Sequence, residues 1–243
     1  MENEWFASWF DTSYYHILYK NRDDVEAKKF IHRLVDLLSI PKTKKILDLA
    51  CGKGRHSVTL NELGYNVLGV DLSKNSIDNA KKSVVDGLDF DVHDMREVIQ
   101  GKSFGAIFNL FTSFGYFDST ADNNRVLSSI HTMLEPNGIL VIDFMNAQRI
   151  INSLVESEEK MVDGISFAIK RNYDGTHIFK NIQFSDGGHD YDFTERVQAL
   201  KAEDFEIMLN ANNFEILSTF GDFDLAPYNS ETSDRLILVA RKQ

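Results

Sequence analysis

The stretch that decides the fold is Lys45-Ile46-Leu47-Asp48-Leu49-Ala50-Cys51-Gly52-Lys53-Gly54, followed by Arg55-His56-Ser57-Val58. Its first five residues are a short, mostly apolar run, which is typical of a buried strand. A loop of small residues with two glycines follows, and a helix begins after it. Glycines at such a place let a ligand approach the backbone at the N-terminus of a helix. The stretch therefore predicts a strand–loop–helix unit of the kind that binds nucleotides.

Three residues narrow the choice of ligand. Dinucleotide-binding loops have a third glycine in the pattern G-x-G-x-x-G, and this chain has Ser57 at that position. Asp48 precedes the first glycine at the end of the strand, where a carboxylate would repel a pyrophosphate but suits an ammonium group. Asp71 ends the next apolar run, and an acid there can accept hydrogen bonds from two ribose hydroxyls. S-adenosylmethionine, with a ribose, a positive amine and no pyrophosphate, fits this combination.

Short apolar runs alternate with amphipathic stretches over most of the chain, which is typical of βαβ units and a parallel sheet. The predicted strands are Lys45–Leu49, Asn66–Val70, Leu88–Val92, Ala106–Phe111, Gly138–Phe144, Phe214–Phe220 and Arg235–Arg241. The predicted helices are Asp23–Ser39, Ser57–Leu63, Ser73–Val85, Met95–Ile99, Ala121–Leu134 and Ala202–Ala211. We therefore expect an α/β fold with a doubly wound, mostly parallel, seven-stranded Rossmann-like sheet.

Two segments stand apart from this core, which is predicted to comprise residues 44–147 and 201–243. Residues 1–43 begin with many aromatic side chains and predict a helical lid, either packed on the body of the domain or covering a ligand with some of its rings. Residues 148–200 contain an alternating pattern broken by Asp174-Gly175 and Asp186-Gly187-Gly188, which are hairpin signals. They predict an antiparallel β insert of about three strands that caps the substrate or forms a dimer contact.

The sequence resembles the class I S-adenosylmethionine-dependent methyltransferases over about residues 44–146 and the last two strands. Four places carry the resemblance: Asp48–Gly54, Val70-Asp71-Leu72-Ser73, His93-Asp94-Met95 and Phe108–Phe117. These motifs are specific for the cofactor and carry no information about the methyl acceptor. The N-terminal aromatic helix and the β insert are similar to those of small-molecule N- or O-methyltransferases, including enzymes acting on sugar amines.

The resemblance also implies which residues contact S-adenosylmethionine. Asp48 and the backbone of Gly52 and Gly54 would hold the methionine part, and Asp71 the ribose. Asp94 and the backbone of Met95 would meet the adenine, and Phe111 would supply a backbone contact near the amino group. Within the first two motifs, Ala50 and Leu72 are expected to contact the cofactor as well.

The sequence contains fewer signals for the residues that contact the methyl acceptor. The loop from Phe111 to Phe117 follows the fourth strand and should face the transferred methyl group, because ligands bind beyond the carboxyl ends of the strands. It lacks the Asn/Asp-Pro-Pro-aromatic motif of DNA amino-methyltransferases. His16 and Tyr116 are the candidate catalytic residues, and Tyr15, Tyr116 and Asn146 are the candidate substrate contacts. The alternatives are core packing for Tyr116, a structural role for His16 and a helix start at Asn146.

Composition limits the partners. The 243 residues carry a net charge of -11, which disfavours nucleic acid. Cys51 is the only cysteine, no stretch reaches the length of a membrane span, and no secretory signal precedes the first apolar run, so we expect a cytoplasmic protein. No H-x-x-x-H or C-x-x-C spacing predicts a metal site.

Three functions remain open from the sequence. The first is transfer of a methyl group from S-adenosylmethionine to a nitrogen or oxygen atom of a small molecule. The second is methylation of RNA or protein, against which the acidic composition weighs. The third is a non-catalytic module that binds S-adenosylmethionine and dimerises through the β insert. A homodimer through the insert is also compatible with the first function, because a β ribbon has edges to satisfy.

Overall fold

The computed structural model describes residues 9–20, 24–117 and 119–243. Its helices are α1 (Ser13–Leu18), α2 (Asp24–Leu38), α3 (Arg55–Glu62), α4 (Lys74–Ala80), α5 (Thr120–Met133), α6 (Ala147–Asn152) and α7 (Ala202–Ala211). Its strands are β1 (Lys45–Leu49), β2 (Asn66–Asp71), β3 (Leu88–Val92), β4 (Phe104–Asn109), β5 (Leu134–Met145), β6 (Ser157–Val162), β7 (Ile165–Tyr173), β8 (His177–Asp186), β9 (His189–Gln198), β10 (Phe214–Phe220) and β11 (Arg235–Lys242).

Seven strands form the central sheet in the order β10-β11-β5-β4-β1-β2-β3. Neighbours from β5 to β3 are parallel, and β11 runs antiparallel to both β5 and β10. The chain builds β1, β2 and β3 in one direction and then returns to place β4 on the other side of β1. That reversal is a topological switch point, beyond which ligands bind in open α/β sheets. The predicted α/β fold with a seven-stranded, mostly parallel sheet is confirmed.

Two apolar cores cover the faces of this sheet. One contains side chains of α2, such as Phe30 and Leu34, against Ile46 of β1 and Leu60 of α3. The other joins α5 and α7 to the opposite face through residues such as Phe205. Both cores are made of fully buried aliphatic and aromatic side chains, whose removal from water drives folding. They hold the carboxyl ends of β1, β2 and β4 at one rigid edge.

The antiparallel insert has four strands, in the order β6-β7-β8-β9, and not the three that we predict from the sequence. The missed strand is β6. The half-buried side chains of this strand are those of Glu158 and Lys160. Because both are charged, no apolar alternation marks the segment as a strand. Glu158 instead forms an ion pair with Arg171 on β7, at 2.6 Å. An ion pair therefore replaces the apolar contact on which pattern reading depends.

The aromatic N-terminal segment packs on the insert. Trp9 and Leu18 are buried in a cluster with Phe167, Ile169 and other apolar residues of the insert. The indole of Trp9 donates a hydrogen bond to Glu195 of β9 at 2.7 Å, and Tyr19 donates to the same carboxylate. Two other aromatic residues of the predicted lid, Trp5 and Phe6, lie outside the described residues. The described part of the lid thus contacts the insert, whereas α2 belongs to the core.

Two predicted helices differ from the structure by more than two residues at an end, and the bounds of the others agree within two residues. Residues 95–99 form turns, because the Asp94 carboxylate accepts a hydrogen bond from the backbone of Arg96 and so stabilises a local turn. The helix predicted over Ser73–Val85 ends at Ala80 and continues as a 3₁₀ turn over Lys81–Ser83. None of the helices in the described part of the chain has the length and apolar composition needed to cross a membrane.

Candidate functional site

A cavity opens beyond the carboxyl ends of the parallel strands, at the switch point of the sheet. The empty space inside the cavity and at its open mouth is about 560 Å³. Each strand end contributes to its wall, and the N-terminal segment closes it from above. The lining residues are Phe10, Ala50, Asp71, Leu72, His93, Asp94, Met95, Ser113, Tyr116 and Phe117. Five of the nine predicted cofactor contacts and one predicted substrate contact therefore meet at one cavity.

The glycine loop is tied to the second strand. Ala50, Gly52 and Gly54 all have left-handed backbone conformations, with φ of 63°, 56° and 81°. The N–H of Gly52 donates to the carboxylate of Asp71 at 2.8 Å. Gly54 is the N-cap residue of α3 and provides no side chain to cap it. The N–H of Gly54 donates to the carbonyl of Cys51 at 3.0 Å, so both glycine N–H groups are used within the fold. The loop is open at Gly52, where an added Cβ would meet nothing within 4 Å.

Asp71 is held by two backbone hydrogen bonds. One carboxylate oxygen accepts from Gly52, and the other accepts from the N–H of Ser73 at 2.8 Å. Burial raises the pKa of this carboxyl, the backbone N–H donors oppose the rise, and the nearby Asp11 adds to it. Each oxygen retains a second lone pair, so the carboxylate can still accept hydrogen bonds from a ligand. Its position and chemistry fit the expected ribose contact.

Asp48 lies deeper than the sequence suggests. Its side chain is 1% exposed, does not line the cavity, and accepts a hydrogen bond from the hydroxyl of Ser57 at 2.5 Å. Burial raises the pKa of Asp48 to about 6, although the hydrogen bond from Ser57 acts in the opposite direction. The negative charge of Asp71 raises it further. Ser57, which replaces the third glycine, is therefore the partner of this buried acid.

We expect the contribution of Asp48 to the stability of the folded chain to decrease as the pH rises. Its pKa is about 6 in the folded chain and 3.8 in an unfolded reference, so the folded state holds the proton more tightly between these values. The free energy of unfolding should therefore fall through this range, by about 3 kcal/mol at about 1.4 kcal/mol per pKa unit. About 2 kcal/mol of this loss falls between pH 4.5 and pH 7, since the rest occurs below pH 4.5. In urea unfolding, the wild type should therefore lose about 2 kcal/mol relative to Asp48→Asn over this interval. The exposed Asp89→Asn is the control, and an unchanged pH dependence in Asp48→Asn would contradict the assignment.

Asp94 and Met95 form the wall at the end of β3. The Asp94 carboxylate pairs with the guanidinium of Arg96 at 2.6 Å. Burial alone would raise the pKa of Asp94, but the hydrogen bonds from Arg96 outweigh burial and lower it. The carboxyl is therefore ionised at neutral pH and acts only as an acceptor. The backbone carbonyl of Met95 accepts a hydrogen bond from the hydroxyl of Ser129 at 2.6 Å, which ties this wall to α5.

The turn after β4 is unusual. Phe111 and Thr112 both have φ of 59°, a left-handed conformation that costs free energy in residues other than glycine. The N–H of Phe111 donates to the buried carboxylate of Asp143 at 2.8 Å. Any contact of its backbone with a cofactor would therefore use the carbonyl oxygen. The Phe111 ring stacks between His56 and Phe223.

The predicted acceptor-side residues are divided by the structure. Tyr116 lines the cavity and packs against Phe10, with ring centroids 5.3 Å apart. Tyr15 lies one ring farther out, at 4.8 Å from Phe10, and His16 lies beside Tyr15. Neither Tyr15 nor His16 lines the described cavity. Tyr116 therefore stays the only predicted catalytic residue at the wall.

Asn146 has a structural position instead of the predicted substrate contact. Its side chain is 1% exposed, and its amide donates to the carbonyls of Ser230 and Ser233 at 2.9 and 2.8 Å. Its oxygen accepts from the backbone of Arg149 and from the hydroxyl of Tyr228. These bonds use both ends of the amide. Asn146 is the N-cap of α6, the alternative that the sequence left open.

Several residues at or around the site were not predicted from the sequence. Phe10 closes the cavity, Gln198 holds the Tyr116 loop, and Arg235 bonds the turn after β4. Gln198 donates its backbone N–H to Gly115 and its side-chain amide to Phe117, each at 2.8 Å, so it brackets Tyr116. Only the clustering of aromatic residues near Phe10 gives a sequence signal. The other two contacts join residues distant in the chain.

The sequence is similar to those of known methyltransferases. The sequence profile of the family described as "Methyltransferase domain" matches residues 40–217. A putative methyltransferase of Bacillus subtilis, YqeM, is 30% identical over 216 residues, covering 84% of this chain and 86% of that protein. A glycine/sarcosine N-methyltransferase of Halorhodospira halochloris is 27% identical, covering 82% and 75%.

Solved structures show the same fold. An S-adenosylmethionine-dependent methyltransferase from Clostridium acetobutylicum superposes with a TM-score of 0.81 at 19% identity, covering 94% of this chain and 96% of that one. An amino pentose methyltransferase from Micromonospora echinaspora, solved with S-adenosylmethionine bound, superposes with a TM-score of 0.74 at 18% identity. It covers 96% of this chain and 98% of the other.

Proposed function

This chain belongs to the S-adenosylmethionine-dependent methyltransferases, and from that premise we propose that it methylates an amine nitrogen of a small molecule. The observation that carries the proposal is the small cavity closed by Phe10 and Tyr116, which has to hold both the cofactor and the reacting part of the acceptor. A cavity covered by two aromatic rings favours a compact acceptor over a polymer. The glycine/sarcosine N-methyltransferase among the relatives supports an amine.

The residues around the cavity fit S-adenosylmethionine. The acids Asp71 and Asp94 at the strand ends offer acceptors for hydroxyl and amino groups, whereas a pyrophosphate would be repelled by them. We propose that Asp71 holds the ribose and that Asp94 and the Met95 backbone hold the adenine. The loop that contains Gly52 and Gly54 would bind the methionine part of the cofactor. Ala50 and Leu72 supply apolar contacts beside them.

When bound, S-adenosylmethionine supplies a methyl group activated by a sulfonium. The protein's part is to align the acceptor with that methyl group and to exclude water. The rings of Phe10 and Tyr116 pack edge to face, with planes 67° apart, and cover the cavity. Aromatic faces tolerate a nearby positive charge, so this cover suits both the sulfonium and the ammonium product.

The choice of nitrogen over oxygen depends on proton transfer. A neutral amine has its own nucleophilic lone pair and loses a proton after methylation, whereas a hydroxyl needs a base beforehand. Among the described lining residues, His93 is the only imidazole, and its Nε2 lies 2.8 Å from the carbonyl of Glu97, at the adenine side of the cavity. We therefore propose that Tyr116 acts through its ring, by orienting and covering the reacting groups, and not as a base.

We expect Tyr116→Phe to keep turnover within about threefold of the wild type, because the ring is retained. Tyr116→Ala should lose about a hundredfold through the open cover. If the hydroxyl is instead the general base, the phenylalanine variant should lose about 10²–10⁴-fold. Turnover is measured as the rate at which S-adenosylhomocysteine is released, with the small amine that the wild-type protein methylates fastest as the acceptor.

The acceptor test uses the purified chain, S-adenosylmethionine and three groups of substrates. These are small amines such as glycine, sarcosine and an amino sugar, the matching hydroxyl compounds, and total RNA. We expect methylation of an amine and at least a hundredfold slower reaction of its hydroxyl counterpart. Methylation of RNA, or of the hydroxyl compounds in preference to amines, would contradict the proposal. A thermal-shift titration with S-adenosylhomocysteine is the control for an intact cofactor site.

The insert is proposed to cap the acceptor side and to mediate a homodimer. The last residue of β9, Gln198, fixes the Tyr116 loop, which supports the capping role. The outer strands β6 and β9 each pair with one neighbour in the four-stranded sheet, and an unpaired strand edge favours association with a second chain. Dimerisation stays a prediction.

A further inference from the structure

The turn at Phe111 and Thr112 needs support from its surroundings. Two consecutive residues that are not glycine have φ of 59°. Such conformations cost free energy and persist only where neighbouring groups impose them. The next residues, Ser113 and Tyr116, line the cavity. Relaxation of the turn would therefore shift one wall of the cofactor cavity.

A buried ion pair lies directly behind this turn. Asp143 of β5 is 0% exposed, and Arg235 of β11 donates from Nε to its carboxylate at 2.7 Å. The other carboxylate oxygen accepts from the N–H of Phe111 at 2.8 Å. We call these two residues the Asp143–Arg235 clamp. Removing Arg235 would leave the buried charge of Asp143 without its ionic partner, which is destabilising.

The clamp also holds the second residue of the turn. Arg235 donates from a terminal guanidinium nitrogen to the hydroxyl of Thr112 at 2.8 Å. The backbone N–H of Thr112 donates to the carbonyl of Asp143 at 2.9 Å. Phe111 is thus bonded to a side chain of the clamp, and Thr112 is bonded both to a side chain of the clamp and to the backbone of β5. Neither Asp143 nor Arg235 lines the cavity itself.

We propose that Asp143 and Arg235 are positioning residues that keep the Phe111–Thr112 turn left-handed and so set the cavity wall at Ser113 and Tyr116 for the cofactor. The carboxylate and the guanidinium together replace the conformational freedom that glycine would give at these positions. The proposal does not depend on the nature of the acceptor. Binding of S-adenosylhomocysteine alone tests it, so its failure is distinguishable from failure of the amine proposal.

The test is a double-mutant cycle on affinity for S-adenosylhomocysteine, measured by isothermal titration. In the wild-type background we expect Arg235→Ala to raise the dissociation constant at least tenfold. A glycine adopts the left-handed conformation without steric cost. In a Thr112→Gly background the same substitution should therefore raise the dissociation constant less than threefold. Since Thr112→Gly also removes the hydroxyl that Arg235 bonds, the cycle is repeated with Thr112→Ala, which removes the hydroxyl and keeps a Cβ. Arg235→Ala should still cost at least tenfold in the alanine background, and an equal rescue by alanine and glycine would overturn the proposal.

A matched control separates local rescue from general stabilisation. Asn213 also has a left-handed φ, of 58°, but lies exposed before β10 and away from the cavity. In an Asn213→Gly background, Arg235→Ala should still cost at least tenfold. Equal losses in the Thr112→Gly and Asn213→Gly backgrounds would overturn the proposal.

A second substitution covers the case in which Arg235→Ala does not fold. Arg235→Lys keeps the charge but has a single nitrogen, which cannot reproduce the forked bonds to Asp143 and Thr112. We expect it to raise the dissociation constant at least threefold in the wild-type background, and less than that with glycine at position 112. Circular dichroism confirms folding of each variant. Wild-type affinity in a folded Arg235→Lys protein would overturn the proposal.

Discussion

Asp71→Ala is expected to weaken the binding of S-adenosylhomocysteine by about a hundredfold. Two ribose hydroxyls bonded to a charged group contribute about 1.5 kcal/mol each, and about 3 kcal/mol corresponds to this factor. The substitution also leaves the N–H groups of Gly52 and Ser73 without their acceptor, so the glycine loop loses its tie to β2. Isothermal titration measures the change.

The control for this prediction is Asp91→Ala. Asp91 lies on the neighbouring strand β3, is exposed, and its carboxylate also accepts a backbone hydrogen bond, from Val92 at 2.9 Å. Asp91 does not line the cavity. The affinity of the Asp91→Ala variant for S-adenosylhomocysteine should therefore stay within twofold of the wild type. Unchanged affinity in Asp71→Ala would refute the assignment of Asp71 to the ribose.

Gly54→Ala is expected to destabilise the protein strongly. A Cβ at this position would lie 2.5 Å from the Phe90 ring, and the residue has a φ of 81°. The left-handed conformation costs about 1–2 kcal/mol with a side chain, and overpacking adds about 1–3 kcal/mol. We expect the free energy of unfolding to fall by about 3 kcal/mol in urea, together with weaker cofactor binding, because the start of α3 has to move.

The matched control is Gly64→Ala. Gly64 has a similar φ of 86°, but a Cβ there would meet nothing within 4 Å. It should therefore cost only about 1–2 kcal/mol, the conformational part. A smaller side chain at position 90 should relieve the clash. The double variant with Gly54→Ala and Phe90→Leu should therefore lose less free energy of unfolding than the sum of the losses in the two single variants. Equal losses in Gly54→Ala and Gly64→Ala would contradict a steric role of Phe90.

Local pattern was sufficient where a segment is apolar and has clear ends. The bounds of β1, β3, α7 and β10 agree with the prediction residue for residue. Each is a short run with a turn or stop signal beside it, such as Asn212-Asn213 after α7. Strand β6 was missed because its half-buried side has charged residues, and residues 95–99 were wrongly predicted as helix because a five-residue window has little periodicity.

The cavity could be predicted in part for a similar reason. Asp71, Asp94 and Met95 lie at strand ends, and a parallel sheet brings strand ends together. The depth of Asp48 could not be seen, because its distance from the cavity depends on how α3 packs over it. Arg235 and Asp143 are 92 positions apart, and no local pattern marks that pair. Contacts of this kind depend on the order of strands in the folded sheet.

The docking of Trp9 on the insert gives the protein an optical reporter of its own. The chain has two tryptophans, Trp5 and Trp9, so Trp5→Phe would leave a single indole as the source of emission. That indole is 1% exposed and bonded to Glu195, next to the ring of Phe193 at 4.5 Å. Release of the N-terminal segment would bring it into water and shift its fluorescence to longer wavelength. Stopped-flow recording of that shift would give the opening rate of the cavity cover, without a label and without knowledge of the acceptor.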